Sequence, residues 1–193
     1  MFNEKVKSQD TAASSLIAGG SAAESASAKG VYKIQCHDKD GNLKWEDEAP
    51  NLVVNGGLQD MNAKYFTGSA YTAAWYIGLY GAGASNTPAA GDTMSSHAGW
   101  TEVTDYSQAT RPACTFGTPT TANPSVATNS ASTATFSINA TVTVGGAFLI
   151  SNSTKGGTSG ILFSASDFQS PGDRAMVSGD TLQVTYQFSL DAA

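Results

Sequence analysis

Apolar and polar positions alternate with a period of two along much of this chain, a pattern that predicts strands with one buried face. Tyr32, Ile34 and Cys36 are set against Lys33, Gln35 and His37, and Leu43-Lys44-Trp45-Glu46 answers them across Asp38-Lys39-Asp40-Gly41-Asn42 as a hairpin. Thr133 to Val144 alternates through Phe136, Ile138, Ala140, Val142 and Val144. Gly145-Gly146 then breaks or bulges the run ahead of a second buried strand, Ala147-Phe148-Leu149-Ile150. Ile161-Leu162-Phe163 is a short strand, and the segment from Leu182 to Leu190 is the clearest. There Leu182, Val184, Tyr186, Phe188 and Leu190 face one way, and Gln183, Thr185, Gln187 and Ser189 the other. Arg111 to Phe116 reads as extended, with Pro112 placing it at an edge or a strand start.

One stretch departs from alternation. Ala73-Ala74-Trp75-Tyr76-Ile77-Gly78-Leu79-Tyr80 is almost continuously apolar and too short for an independent helix, so it predicts a strand buried on both faces. Gly78 inside it marks a point where a large side chain or a neighbouring backbone comes close. The long connection from Gly81 to Gly99 follows.

A helical period appears once. Leu58, Met61, Asn62, Tyr65 and Phe66 fall at i, i+3, i+4, i+7 and i+8 behind Asn55, a capping residue type, and predict a short amphipathic helix from about Gly56 to Tyr65. Its apolar face is expected to plug an open end of the fold. About eight strands, irregular loops and one short helix indicate an all-β chain, an antiparallel β-sandwich of jelly-roll-like or Ig-like form. Alternation specifies faces and leaves neighbours open.

Residues 1–30 are different material. Ala, Ser and Gly dominate from Thr11 to Gly30, a composition that buries too little apolar surface to offset its ordering entropy. The expectation is a flexible, low-complexity N-terminal arm over residues 1–30 and a β-sandwich domain over 31–193. Phe2, Leu16 and Ile17 are the arm's candidate anchors on a partner.

Charged residues make up 13% of the 193 positions, against roughly 25% in typical soluble proteins; Ser, Thr, Asn and Gly supply the polarity. The net charge is -6, and after Lys64 the basic residues are Arg111, Lys155 and Arg174 alone. Direct binding to a nucleic-acid backbone, which needs clustered cations, is therefore not expected. No stretch is long and apolar enough to cross a bilayer, and Met1 to Lys7 leads into no apolar signal core, so a soluble product made and used in the cytoplasm is expected. Cys36 and Cys114 form no CxxC pair; a disulfide and two free thiols both fit.

Candidate chemistry is sparse. Asp38-Lys39-Asp40-Gly41-Asn42 has the look of a calcium loop, but Leu43 sits where a glycine is needed and Ala49 where an acid is needed, which leaves a tight turn. Lys155-Gly156-Gly157-Thr158 lacks the spacing of a phosphate loop and no helical pattern follows it. His97, with Asp92 and Glu102 near in sequence, has the chemistry of a base or a ligand; packing beside Trp100 with a bond to a loop carbonyl is the structural alternative. No catalytic residue, metal ligand or cofactor is predicted, and the chain is not expected to be an enzyme.

Four strings carry a likeness: Ala74 to Leu79, Ala89 to Met94, His97 to Glu102, and Arg111-Pro112, joined later by Gly145 to Leu149, Lys155 to Thr158 and Ser178 to Leu182. In these the chain, from about Val31 to Leu190, resembles a family of small virion proteins of tailed bacteriophages. The resemblance implies a capsid decoration, or cement, protein: a β-sandwich on the outside of the icosahedral head that bridges subunits of the major capsid protein. It implies assembly in the host bacterial cytoplasm and self-association as a dimer or trimer about a capsid symmetry axis, with no direct nucleic-acid or membrane contact. An aromatic residue is usual in the family where Cys114 stands here, and so long a leader is not. Two other readings compete. A tail or fibre component recognising a host-surface glycan would expose Trp75, Trp100, Tyr71 and Tyr106, and a polysaccharide hydrolase would face two carboxylates from among Asp92, Glu102 and Asp105 across a cleft.

Overall fold

The computed structural model describes residues 25–81, 87–169 and 171–192, and over these the chain is an antiparallel β-sandwich with one helix. The first sheet is built on β1 (Ala26–His37), with β2 (Leu43–Pro50) on one side and β11 (Thr181–Ala192) on the other. β6 (Ser125–Thr128) and β7 (Ala134–Ser137) both pair with the far side of β11, one beyond the other along its length. The second sheet runs β3 (Leu52–Val53), β9 (Leu162–Asp167), β8 (Val142–Ile150), β4 (Tyr76–Gly81), β5 (Glu102–Val103), and β10 (Arg174–Met176) pairs with the start of β8. The helix α1 (Asn55–Phe66) leaves β3 and packs on β9. No helix among the described residues is long and apolar enough to cross a membrane.

Alternation placed the buried faces well. Tyr32, Ile34 and Cys36 of β1 and Leu182, Val184 and Tyr186 of β11 face inward, meeting Ile77, Leu79, Ala147 and Leu149 of the other sheet. A buried polar chain ties the sheets together: the Tyr32 hydroxyl and Ser164 Oγ lie 2.9 Å apart, Ser164 donates to the Tyr186 hydroxyl at 3.3 Å, and Asn51 Nδ2 donates to the same oxygen at 2.8 Å. The first hairpin turns on Asp38, whose carboxylate accepts from Asn42 Nδ2 at 3.0 Å and from the backbone N–H of Asn42 and Asp40, both at 2.9 Å, and these bonds, the Asn42 side chain's first, hold its pKa below that of an ordinary aspartate.

The apolar stretch around Gly78 is buried on both sides, as its pattern predicts, and the strand proper is Tyr76–Gly81. Ile77 and Leu79 enter the space between the sheets, while Tyr80 lies in a second core with Met94, Trp100, Phe148 and Ile150. That second core sits on the outer face of the sheet under the residue 87–100 connection, so the long loop acts as a lid of packed side chains. Two glycine–aromatic pairs define the layer. Gly78 is directly opposite Phe148 and Tyr80 directly opposite Gly146, and a methyl group on either glycine would overlap the aromatic ring across from it.

Three expectations are corrected, and the alternative left open at Gly145-Gly146 is decided for the bulge. The arm does not extend to residue 30: β1 begins at Ala26 and pairs with β11 from Ala26↔Ala192 onward, because antiparallel backbone bonding needs no apolar side chains. Leu190 is 46% exposed rather than core, since the β1–β11 ribbon continues past the end of β2, whose last partner is Val31↔Pro50. Gly145-Gly146 does not end the strand; β8 runs through it with a register shift against Tyr80/Gly81 that leaves Gly145 as a bulge. The break in the alternating run lies earlier, between β7 and β8, where Ile138 forms an isolated bridge to Tyr106 and bonds the residue 179–180 turn. Arg111 to Phe116 forms no strand, but its backbone follows β4, with Ile77 N–H donating to Pro112 O and Cys114 N–H to Trp75 O.

Cys36 and Cys114 are free, buried thiols. Burial pushes Cys36 up to about 11 and Cys114 up to about 12, and the hydroxyls of Tyr32, Tyr80, Tyr106 and Tyr186 are raised for the same first reason. Each of these acids titrates higher in the folded chain than in the unfolded one, so the unfolded chain loses its proton first. The contribution is therefore complete below about pH 8.5 and declines as pH rises through the folded values. The urea midpoint is expected to fall steadily between about pH 8 and about pH 11; a level profile would contradict this burial.

Candidate interaction surface

The helix is where pattern and packing part. Its predicted apolar stripe, Leu58, Met61, Tyr65 and Phe66, is expected to plug an open end of the fold. Only Met61 packs against the core; Leu58 is 40%, Phe66 76% and Tyr65 83% exposed. The inward stripe is instead Gly57, Asp60, Met61 and Lys64, rotated by one residue, or about 100° on a helical wheel. Gly57 explains the rotation: the helix backbone lies so close to the carbonyl of Phe163 on β9 that a methyl group would overlap it. Asp60 is buried beside that contact and lies 3.8 Å from Lys64 one turn on. Asn55 does not cap the helix, because Val54 is the capping position and no side chain bonds there.

After α1 the chain is held in a defined shape. Thr67 Oγ1 and the Thr67 and Ser69 N–H groups all donate to Ala63 O, and Gly68 takes a positive φ of 65°. Lys64 Nζ donates to Ala70 O at 2.9 Å and lies 5.6 Å from the ring centre of Tyr71. Trp75 Nε1 donates to the Tyr71 hydroxyl at 2.7 Å, and the Trp75 ring packs edge-on against Phe163. Tyr65 and Phe66 form an edge-to-face pair with ring centres 4.9 Å apart. Leu58 and the Tyr65–Phe66 pair are thus exposed on α1 and Tyr71 on the turn that follows it, an aromatic shelf whose Tyr71 end is tied through Trp75 to the core.

The residues singled out for chemistry have structural duties. Glu102 receives Nε and Nη2 of buried Arg111 at 2.8 and 2.6 Å and also the N–H of Gly156. Arg111 further donates to Asn152 O and Gly157 O, so one guanidinium closes the residue 152–157 turn. Lys155 donates to Tyr106 O and Gln108 O, both at 2.8 Å, and lies 4.3 Å from the Tyr106 ring centre, which directs its charge into the protein rather than toward a phosphate. Asp92 accepts from Ala89 N–H. His97 stacks on Trp100 at 3.6 Å, as the packing alternative expects, although its buried Nδ1 has no hydrogen-bond partner among the described residues. No group of three His, Cys, Asp or Glu side chains gathers as metal ligands among those residues.

Of the aromatics proposed for a glycan, Trp100 and Tyr106 are core, Trp75 is half-buried and Tyr71 is 51% exposed. Phe2, Leu16 and Ile17 lie outside the described residues. The role of Arg111 had one sequence signal, the scarcity of cations after Lys64: Arg111, Lys155 and Arg174 are each placed against backbone carbonyls, and Arg174 also reaches Asp47 at 3.2 Å. No family model, curated protein or solved structure matches this chain.

Proposed function

We propose that this protein is a non-enzymatic virion component of a tailed bacteriophage, a decoration protein that binds the outside of the head and stabilises contacts between subunits of the major capsid protein. The observation that carries the reading is the aromatic shelf. Tyr65, Phe66, Tyr71 and Leu58 present large apolar side chains to solvent from a helix and turn fixed by hydrogen bonds. Rigid exposed aromatics grouped in this way are characteristic of binding surfaces, where they supply most of the energy of an interface. A protein that binds the assembled shell more tightly than its separated subunits stabilises the shell by that difference, and needs no acid, base or nucleophile.

In this reading the N-terminal residues, with Phe2, Leu16 and Ile17, form a second contact with the capsid, continuing from the start of β1 at Ala26. A homo-oligomer, dimer or trimer, about a capsid symmetry axis follows from placement on a symmetric lattice. The protein would be assembled in the bacterial cytoplasm and carried on the capsid exterior.

The test is cosedimentation with expanded heads that lack the protein. Tyr65→Ser combined with Phe66→Ser is expected to weaken binding at least about thirtyfold, the loss of about 2 kcal/mol that truncating interface anchors brings. Melting temperature should not fall, since both side chains are exposed. Full binding by the folded variant would overturn the assignment of the shelf, and binding by neither form would overturn the capsid reading itself.

A further inference from the structure

We propose that the pocket beside α1 seats an arginine side chain of a partner protein, the charged half of an interface whose apolar half is the aromatic shelf. The pocket has a volume of about 280 Å³ and lies between α1, Asp92-Thr93 of the long connection and residues 160–162. That is room for one long side chain, short of the roughly 300–1,000 Å³ that drug-sized ligands occupy. Gln59 lines it, and Phe66 stands two turns further along the same line of the helix, so pocket and shelf adjoin on α1.

Asp60 carries the inference. Its side chain is 9% exposed, lines the pocket, and receives no hydrogen bond from any described residue. Lys64 Nζ stands 3.8 Å away, because it donates to Ala70 O at 2.9 Å and lies over the Tyr71 ring. A carboxylate withdrawn from water without donors is costly, and native structures keep few such groups. A cation entering the pocket removes that cost. Asp92, on the facing connection, accepts Ala89 N–H through Oδ2 and leaves Oδ1 without a donor among the described residues.

The chemistry selects the cation. Two carboxylates bring two full negative charges, against about half a positive charge at the N-terminal end of α1, so an anion is excluded. No third His, Cys, Asp or Glu joins them among the described residues, and the space is wide for a bare ion, which disfavours calcium. A guanidinium suits both parts of the pocket. Its fork of N–H groups bonds carboxylates, and the methylenes behind it run along Ala63 and Ile161. Arginine is also enriched among the residues that carry most of the energy of protein interfaces. Only the partner's identity as a capsid subunit rests on the reading above.

The experiment is an NMR titration of the isotope-labelled full chain with N-acetylarginine N-methylamide, with its lysine and neutral citrulline counterparts, and with calcium chloride, each to about 50 mM at low salt. The arginine probe is expected to shift the backbone amides of Asp60, Asp92 and Thr93 with a Kd on the order of 5 mM, and the citrulline probe to leave them in place. Asp60→Asn should lower that affinity at least about fivefold, and Asp92→Asn likewise. Asp60→Asn should also melt no lower than the parent, since it removes a buried charge that has no donors, whereas loss of a structural ion pair with Lys64 would lower the melting temperature. No shift at these residues, equal shifts from citrulline, tighter binding of the lysine probe or of calcium, undiminished affinity in Asp60→Asn, or a fall in its melting temperature would each overturn the proposal. Tyr65→Ser with Phe66→Ser should bind the arginine probe as the parent does, so the capsid reading and this one stand or fall separately.

Discussion

Gly78→Ala is expected to destabilise the protein by about 3 kcal/mol, an unusually large effect for the addition of one methyl group. The new carbon would occupy space held by the ring of Phe148, which is fully buried and directly opposite across the β4–β8 ladder. Phe148 has no free route of retreat. Its ring is packed against Trp100 at 5.3 Å between centres, and the Arg111 guanidinium lies 5.4 Å from its centre. The cause can be isolated by a double-mutant cycle. Phe148→Ala alone should cost about 3–5 kcal/mol through the lost packing and the cavity, but in that background Gly78→Ala should be close to neutral, because the methyl then enters empty space and the unfolded chain loses entropy. A coupling energy near 3 kcal/mol in urea melts is the expected result; additive effects would show that the close approach does not limit this position.

Arg111→Met is the second large effect. The substitution keeps most of the side-chain volume but leaves the Glu102 carboxylate, itself nearly buried, without its bidentate partner, and leaves Asn152 O and Gly157 O without a donor. Breaking one side of a buried ion pair typically costs about 3–5 kcal/mol, because the remaining charge stays desolvated. Replacing both partners, as in Arg111→Met with Glu102→Leu, should restore much of that loss. The two variants also differ locally from a general loss of packing: with Arg111 gone the residue 152–157 turn is no longer closed, and trypsin is expected to cut after Lys155 in the folded single variant. Resistance at Lys155 together with a small stability change would show that the turn is held by its own backbone bonds.

These two sites were legible to different degrees, and the difference is physical. A glycine inside an otherwise apolar strand costs packing unless something fills the space, so Gly78 announced a close neighbour from its local surroundings alone. Which neighbour it was depends on β4 lying beside β8, a pairing between segments about seventy residues apart. Arg111 showed only as one of few cations. Its partners, Glu102 and the carbonyls of residues 152 and 157, come from two connections that are adjacent only because β4, β5 and β8 share a sheet.

The helix states the division most clearly. Its existence, extent and apolar stripe follow from a period of 3.6 and from local backbone energetics, and Asn55–Phe66 lies within a residue of the expectation. The face it turns inward was decided by β9, since Gly57 alone lets the helix backbone reach the Phe163 carbonyl, and that contact rotated Tyr65 and Phe66 out into solvent. By itself, then, the sequence determined the all-β class, the buried face of each long strand and the double burial of the segment around Gly78, all of which depend on side-chain period and composition. Tertiary structure alone decided the strand order, the partners of the buried charges and the exposure of the aromatic shelf, because each depends on which distant backbone a residue meets.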